Sequence, residues 1–438
     1  MRRDRIRDTF ARSLWSAISP PAQPLPQLTG ERRADCVVIG AGILGLSLAL
    51  HLAMKGASVA LLEADEPGFG ASGRNTGFVV PSFPAGLGPD DVRGLLGAEW
   101  GDKLSRFVGG SAAYLFSVAK TQGLSCDAEP NGWLQPAPTG ARLALLERRA
   151  RLWASLGQPV RLLDRRETEK LTGSRAYLGA LLDESGGQIN PLAYVRGLAQ
   201  AAIRAGASIF ARSRVESWSR KGGCWQVAAA KGRVIADQAF FATNALVGSL
   251  IPNVAHSLIP ARPYQVATQP LGDDVRSRIL PMRQPVADLH RHTFACRWSP
   301  DNRLVTGGLA VFNTPGAVRR MADYFLRRLC RYLPDLPKLE PAFAWNGVVA
   351  TTPDFLPEVW AIAPSCHAPI GCNGRGVAVT TALGAALADF AATGDETALP
   401  VRVRPPRPHA FHALLEHGPS LWLAWNRVRD AIDDRRAD

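Results

Sequence analysis

Three glycines, Gly40, Gly42 and Gly45, stand in GxGxxG spacing within "VIGAGILG". An apolar run over residues 35–39 precedes them, and a helical run over 44–55 follows. In that setting each glycine has a task. Gly40 permits a tight turn, Gly42 lets backbone approach a pyrophosphate, and Gly45 lets the helix sit close to the strand. The helix then offers free N–H groups and the positive end of its dipole to phosphate. Ala41 and Ile43 fill the turn between them. A second apolar run over 58–62 closes on Glu63, 23 residues after Gly40, with Ala64 next to it. A carboxylate there accepts hydrogen bonds from a ribose and repels a 2′-phosphate. The spacing therefore predicts a βαβ unit on a parallel sheet that binds a dinucleotide.

Two further glycine-rich stretches extend the prediction. "GASGRNTGFV" (70–79) follows the acidic strand end and holds Ala71, Ser72, Gly73, Arg74, Asn75 and Thr76. Small residues allow such a loop to wrap a flat ring closely. Arg74 is suited to pair with pyrophosphate, flavin or an anionic substrate group. Nicotinamide enzymes do not need a second loop here, whereas an extended FAD must be held past its phosphates. "GCNGRGVAVTTALG" (371–384) is a second glycine-headed helix start, with Cys372, Asn373, Gly374, Arg375, Gly376 and Val377 at its head. A helix N-terminus aimed at a flavin stabilises the negative charge that builds on reduction. Cys372 reads as a small packing residue rather than a nucleophile.

The elements that must position these motifs are interleaved. Parallel-sheet pieces lie at about 33–80, 185–245 and 360–396; helical patterns fill 90–185, and a strand-rich stretch broken by Gly and Pro fills 258–312. An extended arm ("PPAQPLPQLTGE") leads into the first strand, and a helical arm is expected over 411–432. The expected architecture is α/β: a Rossmann-like cofactor domain (33–90, 185–257, 341–400) interleaved with an antiparallel-sheet substrate domain (91–184, 258–340). Terminal arms occupy 1–32 and 401–438.

Composition bounds the function. The 438 residues are 46% hydrophobic and 20% charged, ordinary for a globular chain. Seven cysteines with no CxxC pair give no metal spacing and fit a reducing, cytoplasmic compartment. The net charge of +13 comes from arginines spread along the chain, without the basic–aromatic blocks of a nucleic-acid face. That balance favours anionic ligands and small-molecule partners. No uninterrupted apolar run reaches the ~18 residues of a membrane span, and the basic N-terminus lacks the apolar core of a signal peptide.

The chain resembles the glycine oxidase/D-amino-acid oxidase superfamily of FAD-dependent amine oxidoreductases. Its look is closest to the branch containing γ-glutamylputrescine oxidase. The resemblance rests on "DCVVIGAGILGLSLALHLA", "GFGASGRNTGFV", "GGQINPLAYVRGLAQAA", "FATNA", "IPARPYQVATQPL", "WNGVVATTPDFLPEV" and "GCNGRGVAVTTALGAALADF". It implies FAD as cofactor, with Val215 against the adenine and Ala242, Thr243 and Asn244 near the phosphates. Residues 72–76 and 374–377 would lie along the flavin. Gly347 stands where sarcosine-oxidase-like members carry a flavin-linking Cys, and the 72–76 loop has no His, so non-covalent FAD is expected. The strand "RLVTGG" lacks the lysine that sarcosine oxidases use with oxygen, which leaves O2 and a quinone or other carrier as alternative acceptors. Arg297 and His290 are the candidates for a substrate carboxylate, with Tyr264 and Phe294 as walls. The competing readings are Arg297 as a strand cation and His290 and His292 as solvated loop residues. Rival functions are RNA-base modification on the same fold, oxidation of a non-amine substrate, and an FAD-binding protein without turnover.

Overall fold

The strand Gly30–Ile39, the helix Ile43–Met54 and the strand Val59–Leu62 form a parallel βαβ unit. Its strand is longer than the apolar run. The charged half pairs with 232–236 through its backbone and an exposed Glu31–Arg233 ion pair (2.6 Å), while Cys36–Ile39 is buried. We describe a computed structural model that covers residues 10–84, 86–310 and 316–410, with 412, 418, 423, 425, 426 and 429 beyond them. Most of the helix expected over 411–432 lies outside the described residues.

Among the described residues the unit belongs to a nine-stranded sheet. Its main path runs Val403–Arg404, Glu358–Ala363, Cys366–Ile370, Gly232–Phe241, Gly30–Ile39, Val59–Leu62 and Ser208–Phe210. The four strands from Gly232–Phe241 and Gly30–Ile39 out to Ser208–Phe210 are mutually parallel, and Cys366–Ile370 joins Gly232–Phe241 in parallel too. The strand Cys224–Ala229 pairs antiparallel with Gly232–Phe241 and Val215–Lys221 pairs antiparallel with Cys224–Ala229, which makes a three-strand meander. The helix Pro191–Arg204 starts where Asn190 accepts from Ala193 N–H, with Pro191 in the first turn.

An eight-stranded sheet stands apart, in the order Pro341–Asn346, Pro263–Thr268, Leu304–Leu309, Ala295–Trp298, Val286–Ala287, Trp133–Ala137, Gly179–Asp183, Val160–Leu163. All its pairings are antiparallel except Val286 beside Leu134. The amphipathic helix Ala317–Tyr332 buries Phe325 and Leu329 against one face of it, over Val266, Phe294 and Trp298. The parallel sheet is covered by Ile43–Met54, Pro191–Arg204 and Gly376–Thr393, which share a core through Leu46, Leu50, Tyr194, Leu383 and Leu387. Gly376–Thr393 is the one described helix long and apolar enough to cross a membrane. Here its apolar residues are consumed inside the fold, against Ile43–Met54 and Ala98–Thr121.

Candidate cofactor and substrate site

A cavity of about 1890 Å³ runs between the two sheets. A drug-sized ligand needs roughly 300–1,000 Å³, so there is room for an extended cofactor and a substrate. At one end lie Gly40, Ala41, Gly42 and Ile43, and Gly42, at the N-cap of the Ile43–Met54 helix, has no side chain to cap it. Gly40 has φ +109°, and a Cβ there would sit 2.7 Å from Ala242 O. Glu63 accepts from Ala41 N–H (2.8 Å) and Asp65 N–H (2.9 Å), so its carboxylate first ties the turn to the strand end. Burial raises its pKa, and the hydrogen bonds from Ala41 and Asp65 oppose that rise. Ala64, Val215, Ala242, Thr243 and Asn244 line the same end.

The loop after Glu63 is held from behind. Trp345 Nε1 donates to Arg74 O and Trp15 Nε1 to Asn75 O, each at 2.8 Å. Arg297 Nη1 donates to Thr76 O (3.1 Å), Gly77 O (3.3 Å) and Ile189 O (2.6 Å). Four successive carbonyls are thereby bound by buried donors from three distant segments. Their other face, at Ala71, Ser72, Arg74, Asn75 and Thr76, lines the cavity. Ser72 Oγ also accepts from Ile43 N–H at 3.0 Å, joining the loop to the first helix. Gly73 and Gly45 do not line the cavity. They pack behind it, where a Cβ would meet Gly68 O at 2.4 Å and Gly40 O at 2.0 Å, so the expectation that Gly73 lies along the flavin is corrected. Arg74 donates to Phe69 O (2.8 Å) and Asn346 O (3.2 Å), and its guanidinium stacks on Phe10 and Phe69. It braces the loop against the 346–347 turn, with Gly347 at the cavity wall.

The second glycine motif closes the other side. Cys372, Asn373, Gly374, Arg375, Gly376 and Val377 all line the cavity, and the helix Gly376–Thr393 has no side-chain cap. Asn373 takes φ +40°; its Oδ1 accepts from Thr352 N–H (2.7 Å) and its Nδ2 donates to Leu356 O (2.8 Å). Burial raises the Cys372 thiol pKa, so it stays a neutral packing group.

Three substrate-side expectations are corrected. Arg297 is fully buried behind the loop, off the cavity, with Nε on Trp298 O (3.0 Å). Burial lowers its pKa to about 9, with Glu129 partly offsetting. Neither reading made from the sequence fits: it is neither a carboxylate ligand nor an exposed strand cation. Tyr264 points into the core under Ala317–Tyr332, because strand side chains alternate and the cavity receives Gln265 instead. Phe294 likewise packs in that core, with Tyr332 at 4.9 Å between centroids. His290 does line the cavity, from the loop between Val286–Ala287 and Ala295–Trp298. Its Nδ1 lies 2.5 Å from Asp288 Oδ2 and its Nε2 3.3 Å from Tyr332 Oη, so both ring nitrogens are engaged within the protein. His290 and His292 are buried rather than solvated.

Sequence reasoning missed Trp15, Trp345 and Gln265. Gln265 was legible in "PYQVAT", where Tyr264 and Val266 share the core face. Trp15 carried no signal, since its partner is 60 positions away.

The glycine cradle, the acidic strand end and two glycine-rich helix N-termini on one cavity define a dinucleotide-binding α/β fold with an antiparallel-sheet partner domain. The residues fit FAD, which would be held by the Gly40–Gly42 turn, the 71–76 loop and the head of Gly376–Thr393. Residues 35–390 match the family model described as "FAD dependent oxidoreductase", and the chain belongs to that family (DAO). It is therefore an FAD-dependent oxidoreductase. It is 30% identical to the Gamma-glutamylputrescine oxidoreductase of Escherichia coli, over 86% of this chain and 88% of that protein. It is 31% identical to a Rhizobium meliloti protein named OrdL, over 86% and 87% of the two chains. The crystal structure of glycine oxidase from Geobacillus kaustophilus superposes with a TM-score of 0.70 at 19% identity, over 85% of this chain and 99% of that one. At that identity the likeness shows the fold.

Proposed function

We propose that this enzyme oxidises the C–N bond of a primary or secondary amine or amino acid. The products are an imine, which water hydrolyses to an aldehyde or keto compound, and the released amine or ammonia. Bound FAD supplies the hydride acceptor. The chain supplies a pocket that binds the neutral amine with its C–H toward the cofactor and keeps water out.

One observation carries this reading: the substrate wall pairs cations with neutral groups. Arg149, Arg375 and Gln265 all line the cavity, and the Gln265 amide oxygen has no hydrogen-bond partner among the described residues. The carboxylate nearby, Asp288, is bound to His290 and to Tyr177 Oη (3.3 Å). Neighbouring positive charge favours the unprotonated amine, the form that can donate hydride. A neutral amide oxygen accepts from its N–H. The names of the Escherichia coli relative and of Glycine oxidase from Geobacillus kaustophilus, 24% identical over 347 residues, agree with an amine or amino-acid donor. The 71–76 loop has no His, Gly347 is no Cys, and Cys372 is a half-buried thiol whose pKa is raised; these support non-covalent FAD, released by acid.

The test is anaerobic bleaching of the flavin by a panel of amines, N-methyl amino acids, D-amino acids and γ-glutamyl amines. At least one member reduces the flavin. A preparation that dithionite bleaches but no panel member does would contradict the proposal. Re-oxidation in air then separates oxygen from another acceptor.

A further inference from the structure

The family model matches residues 35–390, and the arm over residues 10–28 reaches the back of the cofactor loop from outside that segment. Its short helix Leu14–Ile18 carries Leu14 and Trp15, both fully buried. They pack against Leu192, on the helix Pro191–Arg204, and against Ala267, Val305 and Trp345, on the antiparallel sheet. The arm therefore fills the seam between that helix and that sheet. From the seam Trp15 Nε1 donates to Asn75 O at 2.8 Å, and Arg297 stacks on the Trp15 ring at 5.2 Å. Phe10 packs on Phe69, with 5.5 Å between centroids, and on the Arg74 guanidinium. The arm thus braces the loop at Arg74 and at Asn75.

The rest of the arm is fastened by polar contacts. Ser19 Oγ donates to Asn190 Oδ1 (2.9 Å), Arg212 Nη2 to Leu25 O (2.6 Å), Ala211 N–H to Pro26 O (3.0 Å) and Leu28 N–H to Ser213 Oγ (2.8 Å). Residues 20–24, between the fastenings, are exposed and include Pro20, Pro21 and Pro24. Those prolines keep the stretch extended before docking and reduce the entropy lost on it. A helix of five residues has too few hydrogen bonds to form alone, so Leu14–Ile18 is ordered only while it sits in the seam. Seated, it fixes the face of the loop opposite to the one that lines the cavity. FAD would engage the cavity face. Two groups that bind one loop and favour the same position of it strengthen each other.

We infer that the 10–28 arm is a strap that positions the cofactor loop, and that its seating and FAD binding are reciprocally coupled. Trp15 is the positioning residue and Leu14 is its anchor. The inference holds whatever substrate the enzyme takes, so its failure leaves the amine reading untouched.

The test is hydrogen exchange over residues 10–19 of the full-length chain, read by mass spectrometry in apo-protein and in FAD-loaded protein. The helix Ala317–Tyr332 serves as the internal reference, and neither segment lines the cavity. FAD slows exchange in the arm by about tenfold or more, and in the reference helix by less than about twofold. Leu14→Ala empties part of the seam and removes no donor to the loop. It speeds exchange in the arm and weakens FAD binding by about tenfold, whereas Leu14→Met keeps the volume and restores both to within about twofold of wild type. Equal slowing of arm and reference, or no slowing of the arm, would overturn the coupling. So would a folded Leu14→Ala chain whose arm exchanges faster while its FAD affinity stays within about twofold of wild type. The wild-type comparison decides alone where Leu14→Ala does not fold.

Discussion

Arg297 and Arg149 are both buried guanidiniums near one cavity, and they differ in what they touch. Arg297 donates to Thr76, Gly77, Ile189 and Trp298 carbonyls and stacks on Trp15. Arg149 donates to nothing described. Burying a charge is unfavourable in both places. At Arg297 the surrounding chain offsets that cost, so the residue is architecture: it fixes the cofactor loop. At Arg149 no acceptor among the described residues is in hydrogen-bond reach, and only the nearby charges of Asp91 and Asp90 oppose the burial. The lesson is that burial alone does not identify the arginine that braces the loop, whereas its engaged donors, Nε and Nη1 of Arg297, do.

The contrast breaks most readily at Arg297. Arg297→Met strands the Thr76, Gly77 and Ile189 carbonyls, and should lower stability by about 3–5 kcal/mol. Urea unfolding reads this, along with a purified protein short of flavin. A loss below about 1 kcal/mol would mean the loop is held without it. Trp15→Phe keeps the ring but removes one donor to Asn75 O. It should cost about 1 kcal/mol, and about fivefold in FAD affinity; Trp345→Phe should do the same through Arg74 O. Unchanged FAD affinity in both would show that the carbonyl clamp does not govern the cofactor. The smallest effect sharpens the contrast. Arg149→Leu removes an unpartnered buried charge, so stability should stay level or rise by about 1 kcal/mol. A fall of more than about 1 kcal/mol would assign Arg149 a structural partner.

The glycine motifs were legible because their constraints are local. Gly40 at φ +109° and Asn373 at φ +40° lie where the chain itself announces an unusual backbone. The alternation of parallel and antiparallel pieces was legible from the motifs that bracket each piece. The substrate wall was not, because a strand's identity does not tell which face meets the cavity. Tyr264 and Gln265 differ by one position and point to opposite sides, and the aromatic was the wrong choice. Arg297 failed for another reason. Its partners, at 76–77 and 189, come together only through the tertiary fold. The Leu14–Ile18 helix was hidden in the same way, since a five-residue helix has little periodicity to read.

The most direct test of this division of labour is the FAD dissociation constant of the reconstituted apo-protein, measured by flavin fluorescence for Trp15→Phe and Arg149→Gln beside wild type. The account predicts about fivefold weaker binding for Trp15→Phe and a value within twofold of wild type for Arg149→Gln. Equal losses in the two variants, or a loss confined to Arg149→Gln, would contradict it.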